Sequence, residues 1–347
     1  MNKHSKTGSI KVVGIDLAKN IFHLHGVDAH GKVVMRKKSS RSKLAAFMAN
    51  IPPCMVGMEA CGGAHDWARK FRVMGHDVRL MSPQFVKPYV KSNKNDTLDA
   101  EAICEAVGRP NMRFVPIKGI EQQDIQSLHR AREQAMKNRT AQSNQIRGLL
   151  MEYGIVLGKG VANLCKALPG VLEDADNGLT PMFRELLYGL SDELRRLEER
   201  IAAYDTQIKH LSAQSEACQR LLTIPGVGPM TATALAAAVG DARAFANGRE
   251  MSSWLGLVPR QCSTGGKPKL LGISKRGDTY LRKLVIHGAR SALQFADRKQ
   301  DVRSRWAVDV RGRRGKNIAA VALANKMVRS AWVLLSRSEE YKMAAAV

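Results

Sequence analysis

From Leu190 onward the apolar residues Leu190, Leu194, Leu197, Ile201, Tyr204, Ile208 and Leu211 recur at steps of 4, 3, 4, 3, 4 and 3. Three heptads of this kind demand a long helix with one apolar seam, and the seam has to be covered by another helix. Two antiparallel helices of one chain and self-association through a coiled coil use the same pattern, so both stay open here. Upstream, the segment "DIQSLHRAREQAMKNRTAQSNQIRGLLMEYG" is charged, helical in period and free of Pro and Gly until Gly148. A loop is expected around Pro169-Gly170, before the heptad helix.

The first hundred residues follow a different rhythm. "SIKVVGID" reads as a strand, "IFHLHGVDAHGKVVMRKK" as two strands joined at "DAHGK", and "CMVGMEA" and "HDVRLMS" as two more. Helices are expected at "SKLAAFMANI", ended by Pro52-Pro53, and at "GAHDWARKFRVMG", closed by Gly75. A third, "NKNDTLDAEAICEAV", would start near Asn95 or Asp96 and end at Gly108. The chain therefore divides into an α/β segment (1–115), a helical coiled-coil connector (116–215) and a mainly helical segment (216–347). The last opens with "LLTIPGVGPMTATALAAAVGD", where a GVG turn between helical stretches gives a helix-hairpin-helix-like element.

Charge narrows the function. Lys and Arg number 55 against 31 Asp and Glu, a formal net charge of +24. Between Arg260 and Lys316 there are 16 Lys and Arg against four Asp, so this stretch alone carries +12. An excess of that size points to a polyanionic partner, because displaced counterions drive binding to phosphates. No apolar run approaches the roughly 18 residues needed to span a bilayer, and "MNKHSKTGSI" lacks the apolar core of a signal peptide. Six cysteines with no CxxC pair suit reduced thiols, so a soluble, cytoplasmic protein is expected.

Within this basic chain a few acids stand where strands run out. Asp16 follows the apolar run from Ile10 to Ile15, and Glu59 ends "MVGMEA" in the same way. Acids at the carboxyl ends of strands in an open α/β sheet sit where ligands bind. Asp96 and Asp99, three apart in "NDTLDAE", share a helix face. Four carboxylates brought together repel unless cations hold them, and hard oxygen donors of this kind suit Mg²⁺ acting on a phosphodiester. His23 and His25, alternating on a strand near Asp28, fit solvent-side positions better than a metal site. His65 and Asp66 fit the start of a helix, and Trp254, Trp306 and Trp332 fit core anchors.

"GIDLAK", "GMEACGGAHDWAR" and "KNDTLDAEAI" resemble the N-terminal domain of insertion-sequence transposases that carry a RuvC-type, RNase H-like fold and a DEDD acid set. "LLTIPGVGPMTATALAAAVGD", followed by "LGLVP", "STGGK" and "GISKRGDTYLRKLVIHGAR", resembles the second signature domain of the same transposases and of Piv-type DNA invertases. The resemblance covers Val12 to Val107 and Leu221 to Ala292. It implies that Asp16, Glu59, Asp96 and Asp99 bind the metal and that a serine nucleophile lies in the "STGGK" region. Ser263 is the candidate, with Thr264 as the other hydroxyl that aligns there. Lys267, Lys269, Lys275, Arg276 and Arg282 would be phosphate contacts around it. Arg282 is favoured because it opens a helix with a fork-shaped donor set.

The resemblance further implies cutting and rejoining of DNA, at element ends and target, through a phosphoserine intermediate. It implies guidance by a structured bridge RNA and a dimer or tetramer in which acids of one subunit work with a serine of another. Two rivals remain open at this point: a metal-dependent RuvC-type junction resolvase with no serine intermediate, and a non-catalytic nucleic-acid-binding protein.

Overall fold

The computed structural model describes residues 10–90, 96–339 and 341–342. Asn95, one of the two residues expected near a helix start, lies outside them. The chain forms two compact units, 1–119 and 120–347.

In the first unit six strands form one sheet in the order β3-β2-β1-β4-β5-β6. They are β1 (Val12–Asp16), β2 (Ile21–Val27), β3 (Val33–Ser40), β4 (Met55–Glu59), β5 (Asp77–Met81) and β6 (Phe114–Val115). β1, β2 and β3 are antiparallel neighbours, β1, β4 and β5 run parallel, and β6 returns antiparallel. Helices α1 (Arg41–Ala49) and α2 (Ala64–Val73) cover one face, where Leu44, Met48, Trp67 and Phe71 bury Val13, Ile15, Val56 and Met58.

The other face is reserved for α4 (Asp96–Val107), which follows the short α3 (Pro83–Val86). Successive residues of a strand point to opposite faces, so Gly14 and Gly57 lie under α4. A Cβ on Gly14 would meet the Ala100 carbonyl and the Cys104 amide, and one on Gly57 would come within 2.8 Å of Val107 Cβ. The two glycines let the helix backbone rest directly on the sheet.

The second unit begins with α5 (Ile120–Met151), α6 (Val161–Glu173) and α7 (Pro181–Gln214). α5 and α7 are antiparallel: Arg132 pairs with Asp205, Arg139 with Glu198 at 3.0 Å, and Gln142 donates to the Leu190 carbonyl. The heptad seam is thus covered within the chain, with Leu194, Leu197, Ile201 and Ile208 buried. The loop expected at Pro169-Gly170 is instead the interior of α6. Burial of Leu164 and Leu168 against Ile146 and Leu150 holds that helix through the proline, and the loop before α7 falls later. Thr180 caps α7, accepting the Phe183 N–H, with Pro181 in the first turn.

Beyond α7 come α8 (Glu216–Leu222), α9 (Pro229–Val239), α10 (Gly248–Trp254), strands β7 (Pro259–Thr264) and β8 (Lys267–Ile273), then α11 (Thr279–Gln294), α12 (Val302–Arg314) and α13 (Lys316–Arg337). Connector and C-terminal helices pack as one unit, through a buried imidazole among other contacts. His129 on α5 lies 2.9 Å from the Tyr280 hydroxyl on α11 and 2.9 Å from the Thr233 hydroxyl on α9. The GVG turn serves packing: Gly226 at φ +95° sets its α-carbon hydrogen against the Gly288 carbonyl, 2.6 Å from where a Cβ would be.

α13 has the length and mean hydropathy of a membrane-crossing helix, although Lys326 and Arg329 interrupt its apolar residues. It is the central helix of the second core, with Ala320, Leu323, Ala324, Met327, Val328 and Ala331 buried against α10, α11 and α12. Trp254, Trp306 and Trp332 pack at the edge of this core as anchors, and Trp332 donates its indole N–H to the Ala242 and Phe245 carbonyls.

Candidate active site

The spacing Gly-x-acid recurs on two adjacent parallel strands, Gly14-Ile15-Asp16 and Gly57-Met58-Glu59. Each acid lies two residues beyond a glycine that faces α4, so both carboxylates leave the sheet on the α4 face at the carboxyl ends of their strands. Both are close enough to act on the Cys61 thiol. Burial raises the pKa of this half-buried thiol first, then the charges of Glu59 and Asp16.

α4 brings the remaining acids. With Ala100 and Cys104 seated over Gly14, Asp96 falls one helical turn ahead of Ala100, toward the end of β1. There Asp16, His23 and Asp96 each offer one ligand atom, and the three atoms lie within 4.8 Å of one another. His23 stands directly across from Asp16 in the β1–β2 register, with Nδ1 3.6 Å from Asp96 Oδ2. Two carboxylates and an imidazole at this spacing fit one divalent cation, and the imidazole widens the choice from Mg²⁺ toward Mn²⁺.

Asp99, half-buried, occupies the same first turn of α4, and Glu59 closes the neighbouring strand, so both flank the three-residue group. Alternation along the strand places His23 on the solvent side, whereas register brings it into the group: a hairpin through "DLAKNI" necessarily sets a residue of β2 opposite Asp16.

His65 is tied elsewhere, with Nδ1 accepting the Lys118 N–H at 3.2 Å, while Asp66 pairs with Lys70 in the first turn of α2. His25 is buried, 3.9 Å from Glu101.

In the second unit the candidate hydroxyls sit on an exposed hairpin rather than in a loop. Ser263 pairs with Pro268 and Thr264 with Lys267 across a Gly265-Gly266 turn, both glycines at positive φ. Every residue of β7 is exposed, and Lys267 and Lys269 project from β8 with Leu270, itself 66% exposed. Ser263 Oγ accepts a bond from Gln261 Nε2 at 2.8 Å. An amide N–H is a donor and does not take up the serine proton, so this contact orients the hydroxyl without activating it.

The root of the hairpin is firmly held. Gly256 and Gly277, at φ +70° and +76°, permit close backbone contacts with Arg276 and Trp254, and Lys275 adopts the same left-handed region at φ +56°. Arg282 corrects the sequence expectation. It is buried, its Nη1 donating to the Leu255 and Arg276 carbonyls at 3.1 and 2.7 Å and its Nη2 to the Thr279 hydroxyl. Its fork clamps the hairpin root instead of facing solvent, whereas Lys267, Lys269 and Arg276 are exposed and Lys275 stands beside them.

Two family models match the chain. A DEDD-type IS110 transposase domain covers residues 13–155, and the transposase IS116/IS110/IS902 family covers residues 218–305. A probable family 20 transposase of Pseudomonas aeruginosa is 51% identical, over 95% of this chain and 98% of its own length. The transposase for insertion sequence element IS1111A of Coxiella burnetii is 47% identical, over 97% and 92%. The transposase for IS1328 of Yersinia enterocolitica is 44% identical, over 95% and 98%. With both family domains in order along one chain, this protein belongs to the IS116/IS110/IS902 family of insertion-sequence transposases, enzymes that cut and rejoin DNA.

Proposed function

We propose that this transposase breaks DNA by attack of Ser263, with Asp16, His23 and Asp96 holding a divalent metal, Mg²⁺ by preference, and Glu59 and Asp99 completing the site. The observation that carries the metal half is the convergence of Asp16, His23 and Asp96 at the end of β1. The strand order, with β1 between an antiparallel β2 and a parallel β4, supports an RNase H-like reading of the first unit. When bound, the metal supplies charge stabilisation for a phosphoryl group in transfer.

In this reading the Ser263 oxygen forms a bond to phosphorus and the bond from phosphorus to one sugar oxygen breaks. The serine proton is lost to an acceptor outside the hairpin, and the departing sugar oxygen takes up a proton from water to leave as a hydroxyl. Rejoining is the reverse attack by a sugar hydroxyl on the phosphoserine, so the energy of the broken strand is kept. Lys267, Lys269, Lys275 and Arg276 neutralise the phosphates flanking the attacked one. The lack of an acceptor in the Ser263–Gln261 contact supports a serine completed by the acids of a second subunit in a dimer or tetramer. Guidance by a structured bridge RNA is part of the same proposal, as is a cytoplasmic setting.

The rival is RuvC-type hydrolysis without the serine, which the unactivated hydroxyl favours. A trapping assay decides between them. Protein, labelled element-end and target DNA, co-expressed RNA and Mg²⁺ are incubated and denatured, for the wild type, Ser263→Ala, Thr264→Ala and Asp16→Ala. A protein–DNA adduct lost in Ser263→Ala and Asp16→Ala but kept in Thr264→Ala is expected. Cleaved DNA with no adduct in any variant overturns the serine mechanism.

A further inference from the structure

Many basic side chains of the second unit have an acidic partner: Arg311 pairs with Asp297, Arg313 with Asp309, Arg243 with Asp241 and Lys283 with Glu133. One cavity of about 680 Å³ breaks this habit. It lies between the start of α10 and helices α12 and α13, lined by Arg249, Arg303, Lys326, Arg329 and Lys342. Among the described residues, none of these five forms an ion pair with a carboxylate.

The one acid in the lining, Asp301, is already engaged as a cap, and its charge acts on Arg303 alone among these cations. It caps α12, accepting the Ser304 N–H at 3.0 Å and the Ser304 hydroxyl at 2.6 Å. Arg303 gives Nη2 to the Pro225 carbonyl at 2.8 Å, but its Nη1 is shielded from water and has no hydrogen-bond partner among the described residues. Lys326 sits 3.8 Å above the Trp306 ring, and its pKa is lowered first by burial and then by the charges of Arg329 and Arg303. The backbones that carry these cations are closely packed. Gly248 at the start of α10 is pressed against α13, so that a Cβ there would come within 2.9 Å of Arg329 Cα.

Five cations gathered around one cavity repel one another, and a bound anion relieves that repulsion. Two polar groups of the lining are already committed. Asn247 Oδ1 accepts the Arg249 and Glu250 amides, and the Trp332 indole N–H is bonded to carbonyls. What dominates the lining is a set of cationic donors suited to phosphate.

We infer that this cavity is a second DNA-backbone site, taking phosphodiester groups on Arg249, Arg303, Lys326 and Arg329 and formed by elements other than the β7–β8 hairpin. The inference rests on the chain acting on DNA and on neither the serine nor the metal.

The test is fluorescence anisotropy with a labelled 30-base-pair duplex in EDTA, across a salt series. The triple variant Arg249→Gln/Lys326→Gln/Arg329→Gln is compared with wild type and with a charge-matched control, Lys299→Gln/Lys316→Gln/Arg337→Gln. The slope of log K against log salt is expected to flatten by about 2–3, with affinity at least about tenfold weaker near physiological salt. The control is expected to lose less than half as much. An unchanged slope, or an equal loss in the control, overturns the inference. The double variant Arg329→Gln/Lys342→Gln alters rim side chains and is read the same way, with a flattening of about 2, so instability of the triple leaves the test intact. The assay contains no divalent metal and scores binding alone, so its outcome is separate from that of the adduct assay.

Discussion

Asp16 and Ser263, placed in one reaction by the proposal, stand on opposite kinds of support. Asp16 closes a central strand, faces a helix seated on bare glycine, and is met by His23 and Asp96 from two other elements. Ser263 stands on a two-stranded hairpin with solvent on both faces, clamped only at its root by Arg282. A group that shares a cation has to be fixed by several elements at once, because ligand geometry tolerates little drift. A group that reaches for a phosphate on another molecule needs freedom from its own core. An isolated hairpin is marginally stable in water, so under the proposed mechanism bound DNA would complete this one.

The contrast predicts a descending series of effects. Asp16→Asn should cut strand transfer by about 10³-fold or more, as expected when several kcal/mol of charge stabilisation are lost. The thermal transition should stay in place; a protein that still cuts DNA at near wild-type rate would break the rigid half of the comparison. Gly14→Ala drives a methyl into the α4 backbone at Ala100 and Cys104. It should cost about 3 kcal/mol and weaken Mn²⁺ binding in a calorimetric titration, because Asp96 moves with α4.

The support of the second unit can be tested through pH. Burial holds His129 neutral, with its pKa lowered to about 4, against about 6.5 in the unfolded chain. The unfolded state therefore binds the extra proton between those values. This stabilisation is complete above about pH 6.5 and is lost as pH falls toward 4. His129→Gln should lower the midpoint of urea unfolding at pH 7 by the equivalent of about 1–2 kcal/mol and flatten its decline between pH 6.5 and 4.5. An unflattened decline would assign the acid sensitivity to other groups. Least of all, Gly266→Ala at φ +75° should cost about 1 kcal/mol locally. The global melting temperature should barely move, while adduct formation falls. A large drop in melting temperature would mean the hairpin is not an independent arm.

How much of this was legible in sequence follows from how local each signal is. Strand ends carrying Asp16 and Glu59, the Asp96/Asp99 helix face and the heptad seam are patterns within a few residues, and they read directly. His23 became visible only through pairing with β1, since alternation alone places it on a face without saying what lies across. Arg282 looked exposed because it opens a helix, yet tertiary packing turned its fork onto the Leu255 and Arg276 carbonyls. The β7–β8 hairpin lacks apolar alternation because neither face is buried, which left "TGG" as its only mark. Pro169 reads as a break, and the leucines Leu164 and Leu168, buried just before it, overrode it.

The same hairpin offers two unpaired backbone edges, the usual nucleus for sheet-to-sheet association. Its composition guards them. Pro259 and Pro268 remove donors from the ladder, and Lys267 and Lys269 put like charges where a second hairpin would dock. The arm is thereby kept open to a polyanion and closed to its own kind, so a variant that trades Pro268 and both lysines for Val and Thr should precipitate on concentration well before it unfolds.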